Sequence, residues 1–311
     1  MNNVEQYKDR RYLVTGVSGF IGRAVCEKLL AAGAIVHGTS RRDVTLAARN
    51  WSHSLADLTV ASAVDELFAS VRPEFVIHLA GCVTGRREVE WVRATLAGNL
   101  LASVNILVAA QNSDTIKCVL AGSLEEPGDD ETLPVPASPY AASKWSASGY
   151  ARMMHALYGL KVAVARIFMV YGPGQEDLKK LVPYVCLAAA AGEAPKLMSG
   201  ARPVDWLYID DVAAGLIRMA HAGPDDGTHV DLGSGRLVTT GEVAVRLCRI
   251  ANTGVEPELG ALPDRPMEQV RVANVAATLA KTGWSVATDL EVGLAATYAW
   301  YRRLARQRQE A

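Results

Sequence analysis

The first 170 residues alternate short apolar runs with helical patterns, and this alternation constrains the fold more than any other feature of the chain. "RYLVTG", "AIVHGTS", "EFVIHLAG", "IKCVLAGS" and "LKVAVARIFMVYG" read as strands. Between them lie "FIGRAVCEKLLAAG", a helix closing at Gly33, then a helix around 61–70, a long one through 91–112 and another starting near 138. Strands separated by helices call for a parallel sheet with helices on both faces. The strands are apolar almost throughout, as expected when both faces are covered. From about residue 176 the pattern loosens around Gly192, Pro195, Gly200 and Pro203, and pieces near 205–235 read as further strands and a helix returning to the first sheet. The expected architecture is α/β: a doubly wound parallel sheet over 1–175 with a return segment at 205–235, and a smaller C-terminal lobe from 176–204 and 236–311.

Composition narrows the class. A chain of 311 residues can bury a large core, in one large domain or two. The 32 basic and 33 acidic residues nearly cancel, which argues against a broad nucleic-acid-binding face. On this reading no apolar run is long enough for a membrane span, and the polar start "MNNVEQYKDRRYLVTG" passes straight into a strand with no visible leader. Cys26, Cys82, Cys118, Cys186 and Cys248 are dispersed and form no CxxC pair. Such a set points to reduced thiols in a cytoplasmic protein, most of them small core residues, and supports neither a metal site nor a disulfide framework.

"VTGVSGFIG" sets Gly16, Gly19 and Gly22 between a strand and a helix, spaced G-x-x-G-x-x-G. A tight turn needs residues without a Cβ, and a pyrophosphate needs close backbone approach. The helix N-terminus then offers N–H groups and a favourable dipole. The sheet is therefore expected to be a Rossmann-like NAD(P)-binding domain, and the lobe to bind substrate; a tight turn without ligand is the plain alternative. The second strand ends in Ser40, Arg41 and Arg42, where an NAD site usually carries an acid. A carboxylate repels a 2′-phosphate, whereas an arginine binds it through charge-assisted hydrogen bonds. NADP(H) is favoured over NAD(H), although both arginines could be solvent-facing loop charges and Asp43 leaves room for NAD.

"SPYAASKWSA", residues 138–147, puts Tyr140 and Lys144 on one face of a helix. Alone, the pair is either surface decoration or the acid–base couple of an enzyme. Its company decides between them. "TGVSGFIG", "ADL" at 56–58, "IHLAG" at 77–81, "GNLLASVNIL", "GSLEEPG" at 122–128, "SPYAASK", "ARIFMVYGPGQ" and "RPVDWLYIDDVA" at 202–213 follow one another along the chain. Together, from residue 11 to about 302, they resemble the extended short-chain dehydrogenase/reductases, in the group of nucleotide-sugar epimerases, dehydratases and ketoreductases.

The resemblance implies a homodimer, paired through helices at 92–112 and 140–158, and a nucleotide-sugar substrate. Cofactor contacts would come from Gly16, Ser18, Gly19, Phe20, Ile21 and Gly22, from Ser40, Arg41 and Arg42, and from Asp57 and Leu58 at the adenine. Leu79, Ala80, Gly81, Asn99, Tyr140, Lys144 and Ile167 would complete the cofactor site. Ser123, Tyr140, Lys144 and Glu125 would be catalytic. Tyr140 would exchange a proton with a sugar oxygen as hydride moves to or from the nicotinamide. Lys144 would lower the phenol's pKa and hold the ribose, and Ser123 would bind the same oxygen.

The reaction is less determined. Glu125 matches a glutamate of the dehydratases, but Leu124 stands where many of them have an acid. Glu125 and Glu126 could equally be a solvated loop pair. A net reductase draws on NADPH, so the arginines favour reduction of an NDP-4-keto-(6-deoxy)hexose, with 4-epimerase or 4,6-dehydratase as the alternative. A non-catalytic NADP(H)-binding protein and a reductase of a non-nucleotide substrate remain rivals. Substrate contacts are expected from Thr84, Arg86, Met169, Arg202, Asp205 and Arg265, and also from Arg87, Lys179 or Lys180. Surface ion pairs are rivals for the charged ones, and core packing for Met169.

Overall fold

The computed structural model describes residues 6–128, 133–264 and 270–310. In chain order the elements are β1 (Arg11–Thr15), α1 (Phe20–Ala31), β2 (Ile35–Ser40), β3 (Trp51–Leu55), α2 (Ala61–Val71), β4 (Phe75–His78) and α3 (Trp91–Thr95). A π-helical segment (Leu96–Leu101) joins α3 to α4 (Ala102–Gln111), and β5 (Lys117–Ser123), α5 (Pro139–Tyr158), β6 (Val162–Ile167), β7 (Met169–Tyr171) and α6 (Leu181–Ala191) follow. The remainder is β8 (Pro203–Tyr208), α7 (Ile209–Ala222), β9 (Asp226–Leu232), β10 (Leu237–Thr239), α8 (Thr240–Ala251), α9 (Val275–Thr282) and α10 (Leu290–Glu310).

Seven strands form one sheet in the order β3-β2-β1-β4-β5-β6-β9. The ladders from β3 through β6 are parallel. Strand order reverses between β1 and β4, and a doubly wound sheet opens its ligand crevice at the carboxyl ends there. Thr15 lies opposite both Thr39 and His78, so β1, β2 and β4 end level. The sheet packs against Val64, Leu67 and Phe68 of α2 and Ile106, Leu107 and Ala110 of α4, all buried. These positions recur at helical spacing, which is why these segments are helices.

The chain divides into two compact units. The first comprises Met1–Ile167, Ala213–Asp231 and Ala276–Trp284, and the second Phe168–Val212, Leu232–Val275 and Ser285–Ala311. These boundaries differ from those expected at 175, 205 and 235. The apolar run 162–171 is not one strand: β6 pairs with β5 in the large sheet, while β7 pairs with β8 in a second sheet of order β10-β8-β7. Thus β8 does not return to the first sheet; β9 does. The helix Trp91–Gln111 corrects a further expectation, for by length and hydropathy it could cross a membrane. In the fold its Ala102, Ile106, Leu107 and Ala110 are core residues, as in a buried helix of a globular unit. All five cysteines are unpaired, and four are buried, with Cys82 partly exposed.

In the second unit Asp205, 1% exposed, organises its surroundings. Its carboxylate accepts the N–H (2.6 Å) and hydroxyl (2.7 Å) of Ser234 and the N–H groups of Gly235 (2.9 Å) and Ala273 (2.9 Å). Replacing it with alanine leaves these donors without their acceptor, so Asp205→Ala should cost on the order of 3 kcal/mol, read as a lower urea midpoint.

Candidate active site

The glycine turn opens directly from β1. Gly16 adopts φ +73°, and a Cβ there would lie 2.7 Å from the Ala80 nitrogen. A Cβ on Gly22 would strike the Gly16 carbonyl oxygen. No side chain caps α1 at Gly19. This cradle fits a pyrophosphate. The Thr15 hydroxyl oxygen accepts the N–H groups of Leu79 (3.1 Å) and Ala80 (3.0 Å) and lies 2.8 Å from His78 Nδ1. With both acceptor sites filled, its proton points to Nδ1. Burial, aided by the charge of Lys144, pushes His78 down to about 3, so this ring is neutral.

At the end of β2, the Ser40 hydroxyl donates to the Arg42 carbonyl (2.6 Å) and pairs with His53 Nε2 (2.9 Å). Arg42 reaches back to the Ser18 carbonyl (3.3 Å), which lays its guanidinium beside the glycine turn. Arg41 is exposed, and its charge acts on Asp57. Asp57 accepts from the N–H (3.0 Å) and hydroxyl (2.7 Å) of Thr59. These bonds, with Arg41, hold its carboxyl below the usual range. Leu58 is buried beneath.

Asn99 lies in the π-helical segment, a distortion that recurs at functional sites. Its Oδ1 accepts the Cys82 N–H (2.7 Å), and its Nδ2 donates to Ser143 Oγ (2.9 Å) and the Cys82 carbonyl (3.2 Å). Asn99 thereby ties α5 to the loop after β4. Its amide is engaged by the protein, so it supports the site through these bonds.

Helix α5 begins at Ser138, whose hydroxyl accepts the Ala141 N–H (3.0 Å), with Pro139 at its first position. Tyr140 and Lys144 follow one turn apart, both buried. Lys144 Nζ donates to the Ala121 carbonyl (2.9 Å) at the end of β5. The Ser123 hydroxyl lies near enough to the Tyr140 phenol to act on it. Burial raises the phenol's pKa; the Ser123 hydroxyl opposes this, and Glu125, Glu126 and Cys82 add to it. Burial thus keeps the phenol protonated, and Lys144 is not among the groups that shift it. Burial also pushes Lys144 down to about 8, against the raising pull of Glu126.

The pair Glu125 and Glu126 is not a solvated one. Glu126 is fully buried, and Glu125 is half-buried, its carboxylate accepting from Ser138 at 3.5 Å and its N–H donating to Ser123 Oγ at 3.2 Å. Glu126 Oε1 accepts the Ser123 N–H (2.7 Å), and Oε2 accepts from Ser148 Oγ (2.7 Å) and His229 Nε2 (3.0 Å). Sequence reasoning missed His229, Ser148, Ser143, Thr15 and His78. Gly122 was the available signal for the buried carboxylate, since a Cβ there would lie 2.6 Å from Glu126 Oε1. Leu124 is buried, its N–H bonded to the carbonyl of Ile167 (3.1 Å), which is itself buried.

Among the expected substrate contacts, Thr84 accepts the Arg86 N–H (3.1 Å), and the Arg86 guanidinium stacks 5.3 Å from the Trp91 ring centroid. The Arg87 N–H bonds Glu88 (2.9 Å). In the second unit, Met169 packs against the core and Arg202 is half-buried. Lys179 and Lys180 are exposed before α6. Asp205 is corrected from a substrate anchor to an internal one, because its oxygens already accept from the chain's own donors. Arg265 lies outside the described residues.

The chain is similar to known proteins over most of its length. The chain is 32% identical over 245 residues to a UDP-glucuronate 4-epimerase of Thermodesulfobacterium geofontis, covering 72% of this chain and 75% of that protein. A dTDP-glucose 4,6-dehydratase of Neisseria meningitidis is 28% identical, over 94% of this chain and 93% of its own length. The crystal structure of the UDP-glucose 4-epimerase of Thermus thermophilus in complex with NAD superposes with a TM-score of 0.81 at 28% identity, covering 94% of this chain and 99% of that one. Residues 12–233 match the family model of the NAD dependent epimerase/dehydratases, and the chain belongs to that family.

Proposed function

We propose that the chain is a nucleotide-sugar oxidoreductase whose net reaction is reduction of an NDP-4-keto-(6-deoxy)hexose with NADPH. The observation that carries this reading is the arginine pair at the end of β2, whose Arg42 reaches back to the Ser18 carbonyl of the glycine turn. Tyr140 and Lys144, buried one turn apart on α5, form the acid–base couple for the proton step. A reduced nicotinamide coenzyme, with its pyrophosphate held at the glycine turn of Gly16, Gly19 and Gly22, would supply the hydride. Tyr140 delivers the proton to the oxygen, Ser123 donates a hydrogen bond to the developing alkoxide, and the Lys144 ammonium stabilises the phenolate left behind. The resting position of Nζ on the Ala121 carbonyl, one helical turn from the phenol, suits that role.

The arginines support NADPH. Arg42 is anchored beside the glycine turn, and the acid that follows, Asp43, is 88% exposed at its side chain. Buried Leu124 next to Ser123 has no proton for a leaving hydroxyl, which counts against dehydration. A second reading, 4-epimerisation with retained NAD, is supported by the epimerases among the relatives.

The deciding experiment follows absorbance of reduced coenzyme with a panel of NDP-4-keto-6-deoxysugars and, separately, product formation from NDP-hexoses. Stoichiometric NADPH loss establishes the reductase; an isomer without coenzyme consumption establishes the epimerase. Tyr140→Phe should lower kcat by about 10³-fold in either case. Arg42→Ala should raise KM for NADPH about tenfold or more and leave that for NADH unchanged, measured as initial rates. Because the Lys144 charge is lost above about pH 8, kcat/KM should fall on the alkaline side of that value. The helix Trp91–Gln111 exposes Val92, Leu96, Leu101 and Val108, and α5 exposes Tyr150, Leu157 and Tyr158, surfaces suited to a homodimer. Light scattering should give twice the chain mass, and Val108→Asp should shift it to the monomer.

A further inference from the structure

The carboxylate of Glu126 has no place in the proton transfer described above, yet it is among the most enclosed charges in the molecule. It lies beneath the last residues of β5, at 0% exposure. A Cβ at position 122 would lie 2.6 Å from its Oε1, so the absence of a side chain on Gly122 makes room for it. Three elements converge on it: the N–H of Ser123 at the end of β5, the hydroxyl of Ser148 on α5, and the ring of His229 on β9, whose side chain is 9% exposed. His229 Nε2 also lies 3.3 Å from Ser148 Oγ. An ionised carboxylate only accepts, so Nε2 carries its proton toward Glu126. These bonds outweigh burial and keep the carboxyl below its usual range.

The position of this charge matters more than its bonds. Ala121, Gly122 and Ser123 are held by the ammonium of Lys144, bonded to the Ala121 carbonyl, and by the carboxylate of Glu126, bonded to the Ser123 N–H. Ser148 links the two sides, since its hydroxyl also lies 3.2 Å from the Lys144 carbonyl. We propose that Glu126 is a positioning residue of the hydride-transfer centre, a fixed negative charge that sets the place of Ser123 two residues along β5 from the carbonyl that holds the Lys144 ammonium. This rests on the reading of Tyr140 as the proton donor. One charge acts on Tyr140 and Lys144 in the same sense, and that sense is the proton-loaded state that a reduction consumes.

The other groups acting on this centre do not duplicate that effect. From β4, His78 is held neutral by burial and by the Lys144 charge, so it adds no charge of its own. Glu125 and Cys82 act on Tyr140 from the loops after β5 and β4. Among the described residues, Glu126 is the charge that raises Lys144.

The test is a titration that does not need turnover. Protein carrying ¹³C at the lysine ε-carbon gives one NMR signal that disappears in Lys144→Met, and this signal should titrate near pH 8. In Glu126→Gln, which keeps the size and an acceptor for the Ser123 N–H, the midpoint should move to lower pH. In Ser148→Ala, which removes a bond but no charge, it should stay. Where turnover is measurable, the alkaline limb of kcat/KM should move with the NMR midpoint in Glu126→Gln. An unchanged midpoint in Glu126→Gln overturns the proposal, as does an equal displacement in Ser148→Ala, which would make the role structural. Should Glu126→Gln not fold, Glu126→Asp withdraws the charge by one methylene, and a midpoint unmoved there overturns it too. A displaced midpoint in a protein that reduces no keto sugar would sink the reductase reading and leave the role of Glu126 standing.

Discussion

Where β1 and β4 end side by side, the backbone groups beyond the last ladder bond need partners, and the Thr15 hydroxyl provides them. It accepts two consecutive N–H groups from the strand-end loop and directs its own proton to a buried neutral histidine. That arrangement fixes Ala80, against which Gly16 is packed too closely for any Cβ. The glycine turn, the uncapped end of α1 and the loop that Asn99 grips all take their places from this junction. A buried unsatisfied amide costs about 1–3 kcal/mol, so the junction tolerates few alternatives.

Much of the first unit was legible because its strands are covered on both faces and its helices on one. The polar edge strand "WSHSL" was not, since an edge strand beside solvent carries no apolar run. The break at Phe168 was hidden for the opposite reason: "VAVARIFMVY" is apolar on both sides of a change of sheet, and only pairing partners distinguish its halves. The π-helical segment has no sequence period of its own.

For the site, spacing pointed to Gly16, Tyr140 and Lys144, because local geometry places them, and family resemblance pointed to Ser123. Spacing could not reveal the bond between Glu126 and His229, separated by 103 positions and brought together only by strand order. Asp205 misled for a related reason. A carboxylate in a motif next to a lobe reads as a ligand contact until its four donors are known. Polar residues were judged by type, whereas their roles follow from burial and partners.

The passage of the chain out of the first unit and back again has a temporal side. Ribosomes make proteins from the N-terminus, and domains fold as their parts emerge. A nascent chain that has reached residue 200 holds Ser123, Tyr140, Lys144 and Glu126 but lacks β9 and its histidine. Until residue 229 emerges, the carboxylate destined for the interior lacks one of its three partners, and the edge of the large sheet beside β6 is open. The centre is thus among the last parts of its own unit to be closed, and vectorial synthesis makes its completion a late event.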